Sequence, residues 1–253
     1  MPTPFTHLYA AQAALDDPRL PQRALLVENQ AAYLLGSVVA DAHFLAKLRR
    51  DETHFYTYDH PITTPPWRVM FDKYPTLWNA DADDQRAFLA GYAFHLSMDE
   101  VWTRDMLGKF FAHGEWGTRQ QRFLMLHVML IGMDERDLAK LDERSVSAMA
   151  SMTTTDTRPG EWLPFMNAAT CREWGALIHR QIKPGGHSET FDIIAPRVGM
   201  TPEQLREVQD DHARAERELW AHIPHATLAE IEVRMVNHAH EQMAVYLEES
   251  APV

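Results

Sequence analysis

His95 and Asp99 stand four residues apart in a stretch whose apolar residues recur at helical spacing, so an imidazole and a carboxylate leave one face of one helix. Imidazole nitrogen and carboxylate oxygen are both zinc ligands, and this spacing lets the two reach one cation. The same pair fits a buried histidine neutralised by an aspartate, and spacing alone does not choose between the readings. Three upstream segments offer more groups of these types: His7 after Thr6, Asp41 after the apolar run 34–40, and His54 within Thr53-His54-Phe55. Taken singly, each reads as readily as a structural or solvated side chain. Cys171 is the sole cysteine, so neither an intramolecular disulfide nor a thiolate zinc cluster can form. Zinc here would be held by His, Asp, Glu or backbone groups.

The elements that must position these residues read as helices throughout. Phe5, Leu8, Ala11 and Leu15 line one face of a first helix that ends at Asp17-Pro18. A second spans 22–35 and is broken by Gly36, residues 49–66 read as irregular, and a short helix follows over 67–74. The clearest helix starts at Asp83 or Asp84, which suit an N-cap or first-turn acid, and carries His95 and Asp99 on to about Leu107. Gly114 and Gly117 punctuate the next junction, before helices over 119–131 and 135–149. A Thr-rich turn is expected at 152–160, then four helices over 162–182, 188–198, 202–223 and 228–248, with Pro202 at the first position of the third. Nothing alternates with a period of two and no repeat is visible, so the expected fold is all-α. Residues 1–150 are expected to form the ligand-bearing helical domain, and 151–253 a C-terminal helical extension packed into the same globule.

Charge narrows the partners. The formal net charge of −12, with acids spread along the chain, offers no basic surface for a nucleic-acid duplex. No apolar run approaches membrane-spanning length, and the first residues show neither the basic nor the apolar region of a signal peptide. Cytoplasm is the expected location.

In order, Thr6-His7, Leu34-Leu35-Gly36-Ser37-Val38-Val39-Ala40-Asp41, Glu52-Thr53-His54-Phe55 and the stretch from Leu89 to Trp102, with Gly91, His95 and Asp99 at four-residue spacing, resemble the zinc-dependent phospholipase C family. That family includes the N-terminal domain of glycosylphosphatidylinositol-specific phospholipase D and shares its fold with P1-type nucleases. The resemblance covers roughly residues 1–110. It implies a multi-helix domain in which one zinc is held by Asp41, His54, His95 and Asp99, while Asp99 bridges to a second zinc that also takes His7. It further implies that a mature N-terminal residue completes the second site; with Met1 removed, Pro2 would offer its amine. Family members usually carry Pro before the metal-binding Asp, where this chain has Ala40. A third ion would need two further His and an acid downstream. Asp105, His113, Glu115 and His127 do not match that spacing, so two zinc ions are expected, with Asp105 and His113 left as possible extra metal or substrate contacts.

The implied activity is a metal-dependent phosphoesterase acting on a phosphodiester, either a phospholipid head-group ester or a small soluble one. Zinc lowers the pKa of bound water to about 7 and neutralises charge on the phosphoryl oxygens. Asp41 is a ligand or a general base. The rival reading is a non-catalytic helical metal-binding or protein-interaction protein. The adjacent His-Asp of HD-type phosphohydrolases and the paired Glu-x-x-His of di-iron bundles are absent from the chain. Phe55, Tyr56, Tyr58, Trp67 and Trp78 read as core or as walls of a substrate cleft. His238 and His240, two apart on a helix, read as facing different ways.

Overall fold

Two glycines let the central pair of helices meet backbone to backbone. The computed structural model describes residues 2–154 and 159–250. Its helices, in chain order, are α1 (Pro4–Ala14), α2 (Arg23–Glu28), α3 (Gln30–Val39), α4 (Asp51–His54), α5 (Pro66–Lys73), α6 (Asp83–Val101) and α7 (Arg119–Leu138). They continue as α8 (Glu143–Thr154), α9 (Pro159–Trp162), α10 (Ala168–Ile182), α11 (Thr190–Ile194), α12 (Pro202–Asp210), α13 (His212–Ala215) and α14 (His225–Glu249). The described residues include no strand, and the fold is all-α as expected.

Helix α6 is the axis of the molecule. Every residue from Arg86 to Val101 is buried, the condition of a helix packed on all sides. α3 lies against one side and α14 against another. A Cβ added at Gly36 would sit 2.0 Å from the Phe88 carbonyl oxygen, and one at Gly91 would sit 2.1 Å from that of Tyr33. Both glycines are therefore needed for close approach. Gly36 does not end a helix as the sequence suggested; α3 runs through it, and the break falls at Asn29, whose φ of −112° and ψ of 33° leave the helical region.

Other expected boundaries move for local reasons. α7 continues through Gly132 to Leu138 instead of stopping at 131, starting from Thr118, whose side chain accepts the Gln121 N–H. The segment 49–66 contains the short helix α4. α6 passes directly into a π-helix, Trp102–Ala112, so the expected end near Leu107 lies within a continuous helical rod. The expected helix over 202–223 is interrupted at Asp211, which caps α13 by accepting the Arg214 N–H at 2.9 Å. Thr201 and Gln204 form a capping box at the start of α12. Of the expected turn at 152–160, α8 takes the first part and α9 the last, and residues 155–158 lie outside the described residues.

Helices after residue 150 brace those before it. α10 packs on α8 and α3, and the Trp174 indole N–H donates to the Val38 carbonyl at 2.8 Å, close to the end of α3. Met125, Met129 and Met133 are buried core residues, as are Phe5, Leu8, Ala11 and Leu15. Among the described residues, no helix is long and apolar enough to cross a membrane.

Candidate metal centre

Four elements deliver the five residues singled out by their chemistry. α6 carries His95 and Asp99, one turn apart and both fully buried. Asp41 sits in the 3-10 turn Ala40–Phe44 that extends α3, so the glycine contact between α3 and α6 sets its distance from His95. His54 is the last residue of α4, which Phe55 closes in the left-handed conformation at φ 61°. That conformation costs an L-residue roughly 1–2 kcal/mol, strain of the kind retained where a side chain must be aimed. His7 comes from the first turn of α1 and is fully buried.

Their ligand atoms converge. His54 Nε2 lies 3.4 Å from Asp41 Oδ1 and 3.4 Å from Asp99 Oδ2, and His95 Nε2 lies 3.4 Å from the same Asp99 oxygen. The two Nε2 atoms are 3.4 Å apart. Four ligands placed tetrahedrally around zinc at its usual N and O bond lengths stand about 3.3 Å from one another. The four spacings between these side chains, drawn from three elements, match the ligand–ligand separations around a zinc-sized ion. On the other side of the carboxylate, His7 Nε2 is 3.3 Å from Asp99 Oδ1. Neither of these two buried atoms has a hydrogen-bond partner, and leaving them so would cost about 1–3 kcal/mol each. A cation between them satisfies both, so the donor set fits zinc chemically as well as geometrically. Each imidazole offers one lone pair, whereas Asp99 alone among the five faces both positions with a separate oxygen.

The remaining ring nitrogens fix the tautomers. His95 Nδ1 is 2.8 Å from the Ser37 carbonyl and donates to it, which leaves Nε2 with its lone pair toward the cluster. His54 Nδ1 is 2.9 Å from the Thr53 hydroxyl and 3.2 Å from the Arg50 carbonyl, with the same consequence. Thr53 thus orients one imidazole through its hydroxyl. Thr6 Oγ1 and Trp102 Nε1 have no hydrogen-bond partner.

Electrostatics keep most of the set ready to ligate. Burial, aided by the charge of Arg50, pushes His54 down to about 3. Burial and the neighbouring His95 lower His7. Burial opposes the charged form of Asp41, but the neighbouring His54, His95 and His7 outweigh it and hold the carboxyl below its usual range. Burial opposes ionisation of Asp99 too, and the neighbouring His95 and His7 overcome it. His95 is the exception: burial lowers its affinity for a proton, and Asp99 more than restores it.

The further candidates lie elsewhere. Two groups of metal-ligating side chains, His7 with His95 and Asp99, and Asp41 with His54 and His95, occur among the described residues, and neither includes Asp105 or His113. Asp105 is paired with Arg104 at 2.9 Å and Arg234 at 3.4 Å, and His113 is exposed beyond the π-helix. Pro2 is buried ahead of α1; Met1, whose removal would free its amine, lies outside the described residues. His238 pairs with Glu100 at 3.2 Å while the His240 ring packs on Phe94, so the two do face different ways. Trp67 is core, Trp78 packs against it, and Tyr58 is 53% exposed.

Two residues escaped the sequence reading. The Arg50 guanidinium is held over the rings of Tyr56 and Tyr58, 4.6 and 4.7 Å from their centroids, and reaches Asp99 Oδ2 at 3.3 Å. His43, two residues past Asp41, sets its ring 5.6 Å from that of His54. Arg50 lies one turn before His54, a spacing that could have drawn attention to it.

Fold and site together define an all-α protein with a buried His/Asp cluster able to hold cations. The chain belongs to the zinc dependent phospholipase C family, whose model matches residues 6–172. The match extends well past the 1–110 span that carried the resemblance. A mouse protein, phosphatidylinositol-glycan-specific phospholipase D, is 29% identical over 105 residues, covering 38% of this chain and 12% of its own length. Its rat counterpart is 30% identical over 91 residues, covering 35% of this chain and 11% of the relative. The chain thus spans only about an eighth of the length of these relatives. No solved structure gives a significant match.

Proposed function

We propose that the chain is a zinc-dependent phosphoesterase that hydrolyses a phosphodiester, either a phospholipid head-group ester or a small soluble diester. The observation that carries this reading is the set of 3.4 Å spacings that links His54 Nε2 to Asp41 Oδ1, to His95 Nε2 and to Asp99 Oδ2, and His95 Nε2 to that same Asp99 oxygen, because a shared cation accounts for metal-ligating atoms brought this close with so little water around them. One ion is held by these four atoms, and a second by His7 and Asp99 Oδ1 with further ligands. Zinc bound there supplies a Lewis acid for the phosphoryl oxygens and an activated water at neutral pH.

The chain's own residues do the rest. Ser37 and the Arg50 carbonyl orient the imidazoles, and burial of His7, His54, His95 and Asp99 keeps bulk water from competing for the ligands. The Asp41 side chain is 17% exposed where His54 and Asp99 are fully covered, so substrate approaches the cluster from the Asp41 side. Arg50 brings a fixed positive charge to the same cluster, suited to a phosphoryl oxygen.

Purified protein is expected to hold close to two zinc equivalents by elemental analysis, and His95→Ala or Asp99→Ala to lose metal together with at least about a hundredfold in hydrolysis of a chromogenic phosphodiester. Full zinc occupancy with no turnover of any phosphate ester would instead favour the non-catalytic metal-binding reading, to which the paired Asp105 and exposed His113 lend support.

A further inference from the structure

α1 contributes His7 alone to the cluster. His7 lies in the first turn of α1, so whatever fixes that turn fixes the position of the second ion. The first turn of α1 lacks an ordinary cap: Thr3 occupies the N-cap position, and its side chain makes no capping hydrogen bond to the helix. The missing acceptor comes from 131 residues further on. Asp134 of α7, with no exposed surface, accepts the Thr3 hydroxyl on Oδ1 and a hydrogen bond from the Phe5 backbone N–H. Its Oδ2 accepts the hydroxyl of Thr190, at the start of α11, and the Ser188 hydroxyl donates to Thr190 at 2.7 Å, which leaves the Thr190 proton for Asp134. The link onward to the cluster is one bond long, since the His7 backbone N–H donates to the Thr3 carbonyl at 3.3 Å.

We propose that Asp134 is the positioning residue for the second metal ion: it clamps the first turn of α1 between α7 and α11 and so holds His7 Nε2 3.3 Å from Asp99 Oδ1. A buried carboxylate that spends three acceptor sites on one helix start and one distant hydroxyl is an expensive device for stability alone, because apolar residues would fill the same volume at lower desolvation cost. The clamp also lies partly outside the matched family region, since Thr190 follows residue 172. It is thus a way in which the last third of the chain acts on the metal centre without touching it.

The opposite end of α1 supplies the control. Gln12 bonds the Lys140 carbonyl at 3.2 Å, the Asp142 N–H at 3.0 Å and the Ser145 hydroxyl at 2.6 Å, so it too ties α1 to the α7–α8 region through buried polar contacts. Gln12→Ala should lower stability without touching His7.

The inference rests on the two-ion reading, and the test separates them. Zinc affinity is measured by competition with a chromophoric chelator on the metal-stripped full chain, for wild type, Asp134→Asn, Thr3→Val, Thr3→Ser and Gln12→Ala. Two zinc equivalents are expected in wild type. Asp134→Asn and Thr3→Val should weaken the second by about tenfold to a hundredfold with the first unchanged, the size of effect seen when an outer partner of a ligand is removed. Thr3→Ser, which keeps the hydroxyl, should restore it. Gln12→Ala should lower the melting temperature and leave both affinities alone. Thr3→Val is the safeguard should Asp134→Asn not fold. Wild-type affinities in Thr3→Val, or an equal loss of second-ion affinity in Gln12→Ala, overturn the clamp while leaving the two-ion reading standing. A wild type that binds fewer than two zinc ions overturns that reading, and the clamp falls with it.

Discussion

Asp99 favours protonation of all three imidazoles, but only at His95 does it outweigh burial. Its charge makes His95 hold a proton more tightly than a free imidazole, while burial strips His7 and His54 of theirs, His54 down to about 3. A cation binding to this set therefore displaces protons chiefly from His95, because Asp41 and Asp99 are held in the charged form and burial lowers the proton affinity of His7 and His54. At about pH 6, below the ordinary histidine range, zinc binding should release protons, but fewer than the three that free imidazoles would give up. The sign follows: affinity rises with pH until His95 has lost its proton and then levels off. Calorimetry in two buffers of different ionisation enthalpy measures the count, and a release near three, or none, would contradict the assignment. At this scale the ligand types and their order were legible in the sequence, because His, Asp and the four-residue spacing from Gly91 through His95 to Asp99 are readable without coordinates. Arg50 was not, since its contact with Asp99 spans 49 residues and an arginine at a helix start reads as a solvated charge. The Asp134 clamp was hidden for the same reason: its three partners come from two distant segments.

Between elements, the decisive quantity is the separation of α3 and α6. Asp41 rides on the end of one and His95 on the other, and the Gly36–Gly91 contact brings them together. Gly91→Ala would place a Cβ 2.1 Å from the Tyr33 carbonyl oxygen, and backbone cannot rotate away as a side chain can. Separation of the helices should cost about 3 kcal/mol, near the upper end for overpacking, and lower Tm by about 10 °C. It should also weaken zinc retention, because Asp41 moves away from His95. Gly132 is the matching control: it lies within α7, and its added Cβ would meet only Gln209 Nε2 at 3.4 Å. Gly132→Ala should therefore raise stability by up to about 1 kcal/mol with zinc content unchanged. Loss of stability without loss of zinc in Gly91→Ala would mean that α3 and α6 can separate without disturbing the cluster. The same contact explains a misread boundary. A glycine in a helical pattern signals either a break or a close approach, and only the presence of Phe88 opposite Gly36 decides between them. The existence of most helices followed from periodicity, whereas the stops at Asn29 and Asp211 depend on backbone angles and capping that single residues announce weakly.

Across the whole molecule, the cluster joins helices that otherwise have little in common. α1, the α3 extension, α4 and α6 meet there, and α10 and α14 press on α3 and α6 from behind. We propose that residues 151–253 pack as part of one globule with 1–150, with the Trp174 bond to Val38 and the contact of α14 along α6 as the seams. If so, metal bound at the centre stabilises the whole chain and not a local loop. Unfolding scatters His7, Asp41, His54, His95 and Asp99 along more than ninety residues, so the unfolded chain offers no comparable site. For a ligand that binds only the native state, free zinc at about one hundred times its Kd adds about 2.7 kcal/mol. In a chain of this size that corresponds to a rise in Tm of roughly 5–10 °C. Stripping zinc with a chelator should reverse the rise as a shift of one cooperative transition, read alike by calorimetry and by far-ultraviolet circular dichroism. His95→Ala should abolish the response to zinc, since it removes a ligand from the tetrahedral set. Two separate transitions, with zinc moving only the first, would instead mean that the C-terminal helices fold on their own account and that the seams at Trp174 and α14 do not couple them to the centre.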